Sequence, residues 1–208
     1  MTRIYLLRHG ATASNRVKPY RIQGSGHDPE LDEIGVAQAE RAAMALMYID
    51  LAAVYASPLL RARQTAMRLA QTRGLEVSLI PELIEANVGD WEGLTWDQVR
   101  DLHPDLFEQF MADPGAVPYL NGESFLDVQR RCVPALRALA DRHPDHRIAV
   151  VGHNVVNRTI LADLIGLPIA KARSLAQSNG GVNVIEYHDG QAKLIAMNAN
   201  LHLEGLPA

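Results

Sequence analysis

The sequence predicts an α/β fold with an open, mostly parallel β-sheet and helices on both faces. Short apolar runs alternate with longer segments of helical character, and this alternation is typical of a sheet covered by helices. Two of the runs, at 4–7 and 147–151, are apolar almost throughout, as expected of strands buried at the centre of a parallel sheet. The 208 residues are 48% hydrophobic, and no repeat or linker divides them. We therefore expect a single domain over residues 1–208.

The individual elements follow from local composition. Alanine-rich segments have high helix propensity, and Gly74 and Gly166 are natural stops after two of them. Pro134 lies within the longest helical pattern, where it predicts a bend or a late start. The last two strands flank a turn at 188–190 and are expected to pair as a hairpin. In chain order, the strands are predicted at 4–7, 52–55, 77–80, 147–151, 182–187 and 192–197, and the helices at about 35–48, 59–72, 123–142 and 157–165.

The segment from Pro81 to Glu123 has a different composition, rich in proline and aromatic residues, with two short helical patterns. We expect residues 86–122, approximately, to form a small insertion of helices and loops over the active site, because such segments commonly shape a pocket. Four of its aromatic side chains could either fill the core of this lid, which we favour, or contact the substrate. They are Trp91, Trp96, Phe107 and Tyr119.

Charge and composition argue against several classes of protein. The net charge is −4 and no block rich in Lys or Arg is present, which argues against a general nucleic-acid binder. The single cysteine, Cys132, excludes an internal disulfide and fits a reducing compartment. The sequence opens directly on a strand pattern and contains no apolar run of membrane length. We therefore expect a cytoplasmic protein without a nucleic-acid or membrane partner.

The most informative motif is Arg8-His9-Gly10, directly after the first strand. Ligands of open α/β sheets bind outside the carboxyl ends of the strands. Arg8 is a permanent cation suited to phosphate or carboxylate, and His9 can serve as nucleophile, acid or base near neutral pH. Asn15 adds a neutral hydrogen-bonding group nearby. Taken alone, the motif could equally be a local cap of the strand.

Three further segments place reactive side chains at comparable points. Arg61 lies in the first turn of a predicted helix, and helix N-termini favour anions. Glu85 follows an apolar pair and precedes a glycine-containing turn, which predicts a partly buried carboxylate, whereas we interpret Glu92 as a loop charge. His153 follows the second central strand and shares a rim with His9 if the two strands are parallel. Each of these residues, taken singly, could instead be solvated or purely structural.

Together the motifs resemble the signature of the histidine phosphatase superfamily, also called the phosphoglycerate mutase-like family. Arg-His-Gly after the first strand is similar to its nucleophile motif. The block Ser-Pro-Leu-Leu-Arg-Ala-Arg-Gln-Thr at 57–65 and the segment 83–93 are similar to two further recurrent blocks. The resemblance extends over nearly the whole chain in the expected order. Within the family, the chain looks most like phosphatases of the broad-range and α-ribazole-phosphate types.

The resemblance implies a role for each motif residue. His9 would be the nucleophile, and Arg8 and Arg61 would bind the phosphoryl group. Glu85 would protonate the leaving group, and His153 would complete the phosphate pocket.

Four other residues are candidates for substrate binding by the same resemblance. They are Asn15, Gln23, Gly24 and Asn154. Asn154 stands where the family usually has glycine, which changes the local hydrogen bonds. No metal or other cofactor is expected, because arginines supply the positive charge that Mg²⁺ supplies in other phosphoryl-transfer enzymes.

These features predict a phosphomonoester hydrolase that acts through a covalent phosphohistidine on a small phosphorylated metabolite. A phosphoglycerate mutase is the alternative within the family. However, Ala11 follows the first motif where mutases commonly have an acidic residue or glutamine, and 104–122 contains no Lys or Arg. A catalytically silent phosphate-binding interaction module is the alternative of another class, and such a module would have no use for Glu85. The last hairpin could supply an edge strand for a homodimer.

Overall fold

The computed structural model describes residues 1–188 and 190–207. Six strands of this part of the chain form a sheet in the order β3-β2-β4-β1-β5-β6. The first four of these are mutually parallel, whereas β5 is antiparallel to β1 and β6 is antiparallel to β5. The predicted open, mostly parallel sheet is therefore confirmed. The strands are β1 (Thr2–Arg8), β2 (Ala53–Ala56), β3 (Val77–Leu79), β4 (Arg147–Gly152), β5 (Val182–His188) and β6 (Gln191–Ala199).

Helices cover both faces of the sheet, as predicted. Alternate residues of a strand point to opposite faces. Accordingly, Ile4 and Leu6 of β1 belong to one apolar core, and Tyr5 and Leu7 to another. The helices are α1 (Ala13–Arg16), α2 (Glu33–Ala45), α3 (Leu60–Gln71), α4 (Trp96–Leu102), α5 (Pro104–Ala112), α6 (Phe125–Arg142) and α7 (Asn154–Leu164). The first core includes residues of α6 and α7, and the second includes residues of α2 and α3.

Several helix boundaries differ from the predictions, and α2 ends at Ala45 rather than near residue 48. Of the bend or late start predicted from Pro134, the late start is wrong, since α6 begins at Phe125 and continues to Arg142 with the proline inside it. A capping box between Ser124 and Asp127 fixes that start, and Pro134 itself lies on the exposed side of the helix. Helix α7 begins at Asn154, three residues before the predicted start, because the chain enters it directly from the end of β4.

The predicted hairpin is present, since β5 and β6 pair along their length. Its predicted turn includes Asp189, which lies outside the described residues. None of the helices in residues 1–188 and 190–207 is both long enough and apolar enough to span a membrane.

The segment 86–122 contains an aromatic cluster that is part of the first core. Phe110 is fully buried and packs against Trp91, Trp96 and Tyr119, with ring centroids 5.1, 6.0 and 4.5 Å from its own. The predicted lid core is therefore present. Trp96 and Tyr119 also line the cavity described below, so these two side chains belong both to the aromatic cluster and to the wall of the cavity.

Candidate active site

The site lies at the carboxyl ends of β1 and β4. These strands are parallel neighbours with Arg8 opposite Gly152, and the His9 amide donates to the Gly152 carbonyl at 3.1 Å. The strand ends therefore bring His9 and His153 together, with ring centroids 5.1 Å apart. The prediction that both histidines share one rim is confirmed.

The hydrogen bond of His9 fixes which ring nitrogen carries its proton. The Nδ1 atom lies 2.6 Å from the carbonyl oxygen of Gly10. A carbonyl only accepts, so Nδ1 carries the proton and Nε2 of the neutral ring holds a lone pair. Burial, followed by the charges of Arg61 and Arg8, holds the pKa of His9 well below 6.5. The neutral form is therefore available at neutral pH.

Gly10 is required where the chain turns away from β1. A Cβ atom on this residue would lie 2.2 Å from the carbonyl oxygen of Gly35. The close approach of these two glycines keeps the 9–11 turn, including the carbonyl that holds His9, packed against the start of α2.

His153 is fully buried behind His9. Its Nε2 atom lies 2.7 Å from Ser57 Oγ, and its Nδ1 has no hydrogen-bond partner among the residues the structure describes. Burial, and then the charge of Arg61, holds the pKa of His153 well below 6.5. When the Ser57 hydroxyl donates to Nε2, the neutral ring carries its proton on Nδ1 and offers it as a donor.

Two arginines supply positive charge from different elements. Arg8, at the end of β1, donates from Nη1 to the Gln177 carbonyl at 2.7 Å, and burial lowers its pKa to about 10. Arg61, in the first turn of α3, donates from Nη2 to the Gly24 carbonyl at 2.9 Å and from Nη1 to the His27 carbonyl at 3.1 Å. Both guanidinium groups are thus fixed by carbonyls, which do not neutralise their charge, although Arg61 Nη1 also lies 3.6 Å from a carboxylate oxygen of Asp28.

Glu85 is buried at the opposite side of the site. One of its carboxylate oxygens accepts from the Ala86 amide at 2.9 Å, and the other accepts from the Val155 amide at 3.2 Å. The second contact is with the first turn of α7, whose partial positive charge favours an acidic side chain. The predicted buried carboxylate is therefore present.

A cavity of about 620 Å³ opens in front of these groups. Six of the nine predicted site residues line it, namely Arg8, His9, Asn15, Gln23, Glu85 and Asn154. The other three do not. Arg61 and His153 are fully buried beside His9. Gly24 lies behind Arg61, which its carbonyl holds, so we reassign it from substrate contact to support.

Several buried nitrogen atoms at this site lack a hydrogen-bond partner among the described residues. They are Nε of Arg8, Nε of Arg61, Nε2 of Gln23 and Nδ1 of His153. A buried donor without a partner costs free energy, and natural sites that retain several of them commonly serve a ligand. The ligand that satisfies such a set of donors is an oxyanion.

Comparisons with known proteins agree with this geometry. The family model described as histidine phosphatase superfamily (branch 1) matches residues 4–200. The chain belongs to the histidine phosphatase superfamily. It is 31% identical over 203 residues to phosphoserine phosphatase 1 of Hydrogenobacter thermophilus, covering 98% of this chain and 95% of that one. It is 35% identical over 193 residues to a metal-independent phosphoserine phosphatase of Arabidopsis thaliana, covering 91% and 78%.

Solved structures of the same superfamily have the same fold. Bacillus stearothermophilus YhfR is 33% identical and superposes with a TM-score of 0.90, covering 98% of this chain and all of that one. A mycobacterial glucosyl-3-phosphoglycerate phosphatase in complex with VO3 is 32% identical, with a TM-score of 0.84, and the alignment covers 95% and 98%.

This histidine phosphatase also uses residues that sequence reasoning missed. Asn179 donates to the His9 carbonyl at 3.0 Å and lines the cavity. Glu92, interpreted from sequence as a loop charge, accepts from the amides of Gly24 and Gly26 at 2.9 and 3.1 Å. The glycines at 24 and 26 were the available signal, because the amides of a glycine-containing loop need acceptors.

Among residues 1–188 and 190–207, no three or more His, Cys, Asp or Glu side chains are grouped so that they could hold a metal ion. Arg8 and Arg61 supply positive charge next to His9, and Arg16 and Arg21 also line the cavity.

Proposed function

We propose that this protein is a metal-independent phosphomonoester hydrolase that acts through a covalent phosphohistidine on His9. The observation that carries the proposal is the state of His9, which lines the cavity and whose Nδ1 proton is held by the Gly10 carbonyl so that Nε2 keeps a free lone pair. Buried donors of Arg8, Arg61 and His153 surround it without partners among the described residues. A phosphoryl group carries up to two negative charges near neutral pH and fits this set of donors.

In the first step, Nε2 of His9 attacks phosphorus in line. A nitrogen–phosphorus bond forms as the bond from phosphorus to the ester oxygen breaks. Arg8 and Arg61 stabilise the charge on the equatorial oxygens. Glu85, which lines the same cavity, transfers a proton to the departing oxygen so that an alcohol leaves.

In the second step, water attacks the phosphohistidine. Glu85, now a carboxylate, takes a proton from that water, and the nitrogen–phosphorus bond breaks. Inorganic phosphate leaves, His9 returns to its neutral form and Glu85 regains its proton. The covalent intermediate thus divides one difficult displacement into two easier ones.

The proposed substrate is a small phosphorylated metabolite. The relatives are named for phosphoserine and for glucosyl-3-phosphoglycerate, and the cavity has room beyond a phosphate group. Arg16 and Arg21 line its outer part, which favours leaving groups that carry a negative charge of their own. Phosphoserine is therefore the first substrate to test.

The test is hydrolysis of p-nitrophenyl phosphate and phosphoserine from pH 4 to 9 with EDTA present. We expect activity that EDTA does not remove, and a loss of at least about 100-fold in His9→Ala. Glu85→Gln should lower kcat/KM most strongly for phosphoserine, whose alkoxide leaving group needs a proton, and the exposed His146→Ala serves as the control. Acid-labile phosphate should accumulate on the native enzyme and be absent from His9→Ala.

Activity that survives in His9→Ala would refute the mechanism. Isomerisation of 3-phosphoglycerate without release of phosphate would indicate the mutase instead. Binding of phosphate with no turnover of any ester would indicate the silent interaction module.

We further propose, on the sequence evidence above, a cytoplasmic location and one domain over residues 1–208 with the insertion at about 86–122. A homodimer through the sheet edge is also proposed, because β6 is the outer strand of its side of the sheet. Sedimentation at several protein concentrations tests the dimer.

A further inference from the structure

Arg131 of α6 donates hydrogen bonds to the backbone of the segment that contains Glu85. Its Nη1 atom donates to the carbonyls of Glu82 and Ile84 at 2.6 and 2.7 Å. Its Nη2 atom donates to the carbonyl of Glu85 itself at 3.2 Å. One guanidinium group therefore ties three carbonyls of the 82–85 segment to a long helix.

Glu123 fixes Arg131 and reaches the other side of Glu85. It accepts from Nε and Nη2 of Arg131 at 2.8 and 3.0 Å, a bidentate pair of the strong, planar kind. The same carboxylate accepts from the Asn87 amide at 2.8 Å, and the Glu123 amide donates to the Asn87 carbonyl at 2.8 Å. The segment is thus held both at 82–85 and at Asn87.

Charge pairing is not the whole role of these two side chains. Arg131 and Glu123 are 21% and 25% exposed, so both are largely buried, and both also bond to the backbone of the 82–87 segment. The pair satisfies carbonyls and an amide of an irregular segment, which has no ladder of its own to fix it. A bidentate fork that spans several acceptors is a task that arginine performs and lysine does not.

We propose that Arg131 and Glu123 are positioning residues for the proton transfer by Glu85. Glu85 must bring its carboxyl group within hydrogen-bond distance of the departing oxygen, and a displacement of about 1 Å is enough to slow such a step strongly. The inference rests on the function proposed above, since the pair acts through Glu85, and kcat/KM reports the first step, in which Glu85 is the acid.

The test compares two leaving groups. p-Nitrophenolate leaves without help from an acid, whereas the alkoxide from β-glycerophosphate needs a proton. We expect Arg131→Met to lower kcat/KM for β-glycerophosphate about tenfold or more and to change kcat/KM for p-nitrophenyl phosphate less than threefold, about the scatter of a remote substitution. Arg131→Lys, which keeps the charge and loses the fork, should be intermediate.

Controls separate this inference from a general loss of structure. Arg130→Met, one residue away on an exposed part of α6 where Arg130 pairs with Asp127, should leave both values unchanged. Glu123→Gln should reproduce the selectivity if Arg131→Met fails to fold. An equal fall for both substrates, or no fall for either, would overturn the inference.

Glu85→Gln in the same assay separates the two proposals. If it shows the leaving-group selectivity and the Arg131 and Glu123 variants do not, only the positioning role fails. If Glu85→Gln lacks the selectivity, the acid role itself fails and the positioning role with it.

Discussion

The electrostatics of His9 combine two requirements in one residue. A nucleophile needs the neutral ring, yet a phosphoryl group needs positive charge around it. Arg61 and Arg8 meet both requirements, since they attract the substrate and, after burial itself, are the largest causes of the lowered pKa of His9. The Gly10 carbonyl acts in the opposite direction and raises that pKa, but it selects the reactive tautomer.

Removing one of these charges should move the titration of His9. In Arg61→Gln, we expect the pKa of His9 to rise, because the largest charge acting on the ring is gone while the ring stays buried. Carbon-13 or nitrogen-15 spectra of the labelled imidazole across pH 4–8 measure it directly. Arg63→Gln, on the same helix but exposed, is the matched control, and an unchanged His9 titration in Arg61→Gln would contradict the assignment.

At the scale of elements, the loop at 21–26 supports the phosphate site, although Gly24 does not line the cavity. The Gly24 carbonyl holds Arg61 on one side, and its amide is held by Glu92 on the other. The loop therefore links α3 to the start of the insertion. Gly24 itself cannot be larger, since a Cβ atom would lie 2.5 Å from the Ala86 carbonyl oxygen.

Glu92→Gln tests this linkage. The Glu92 carboxylate accepts from both loop amides. A glutamine side chain has one oxygen that can accept, and its NH2 group would face the second loop amide, which is itself a donor. Loss of a hydrogen bond to a charged group costs about 1.5–3 kcal/mol, so we expect KM to rise about tenfold with a smaller change in kcat. Glu108→Gln, exposed on α5, provides the comparison. A fall in kcat with KM unchanged would show that the loop does not act through binding.

At the scale of the whole molecule, the family, the fold class and a phosphomonoesterase activity were predictable from sequence and are confirmed. The clearest sequence signals lie at the carboxyl ends of two buried strands. Arg8 and His9 lie at the end of one strand, and His153 follows the other. Their meeting required only that the two strands be parallel neighbours. The predicted roles of the individual residues stay predictions until the variants are measured.

The residues that support the site could not be predicted, because local composition does not determine the order of the strands in the sheet. Gln177 and Asn179 reach Arg8 and His9 only because antiparallel β5 lies beside β1. In sequence, the same stretch has the composition of an ordinary polar loop. The late start considered for α6 failed for a similar reason, since the local effect of Pro134 was outweighed by the buried face of the helix.

Stability should depend on pH through the two buried histidines. The pKa values of His9 and His153 are well below 6.5 in the folded protein, whereas unfolding restores the ordinary value. Below pH 6.5 the unfolded chain therefore binds protons that the folded protein excludes. The free energy of unfolding should fall with decreasing pH, by about 1.4 kcal/mol per pH unit for each histidine. Above pH 7.5 the two residues should contribute no pH dependence.

Urea unfolding at pH 7.5, 6.0 and 5.0 in a phosphate-free buffer measures this slope, since bound phosphate would itself stabilise the fold. The double variant His9→Asn/His153→Asn should lose less stability between pH 6.0 and 5.0 than the native protein, by about 2–3 kcal/mol, and each single variant should recover about half of that difference. Parallel curves for the native protein and the double variant would show that the two rings take up protons equally in the folded and unfolded states, and the lowered pKa values of His9 and His153 would then be wrong.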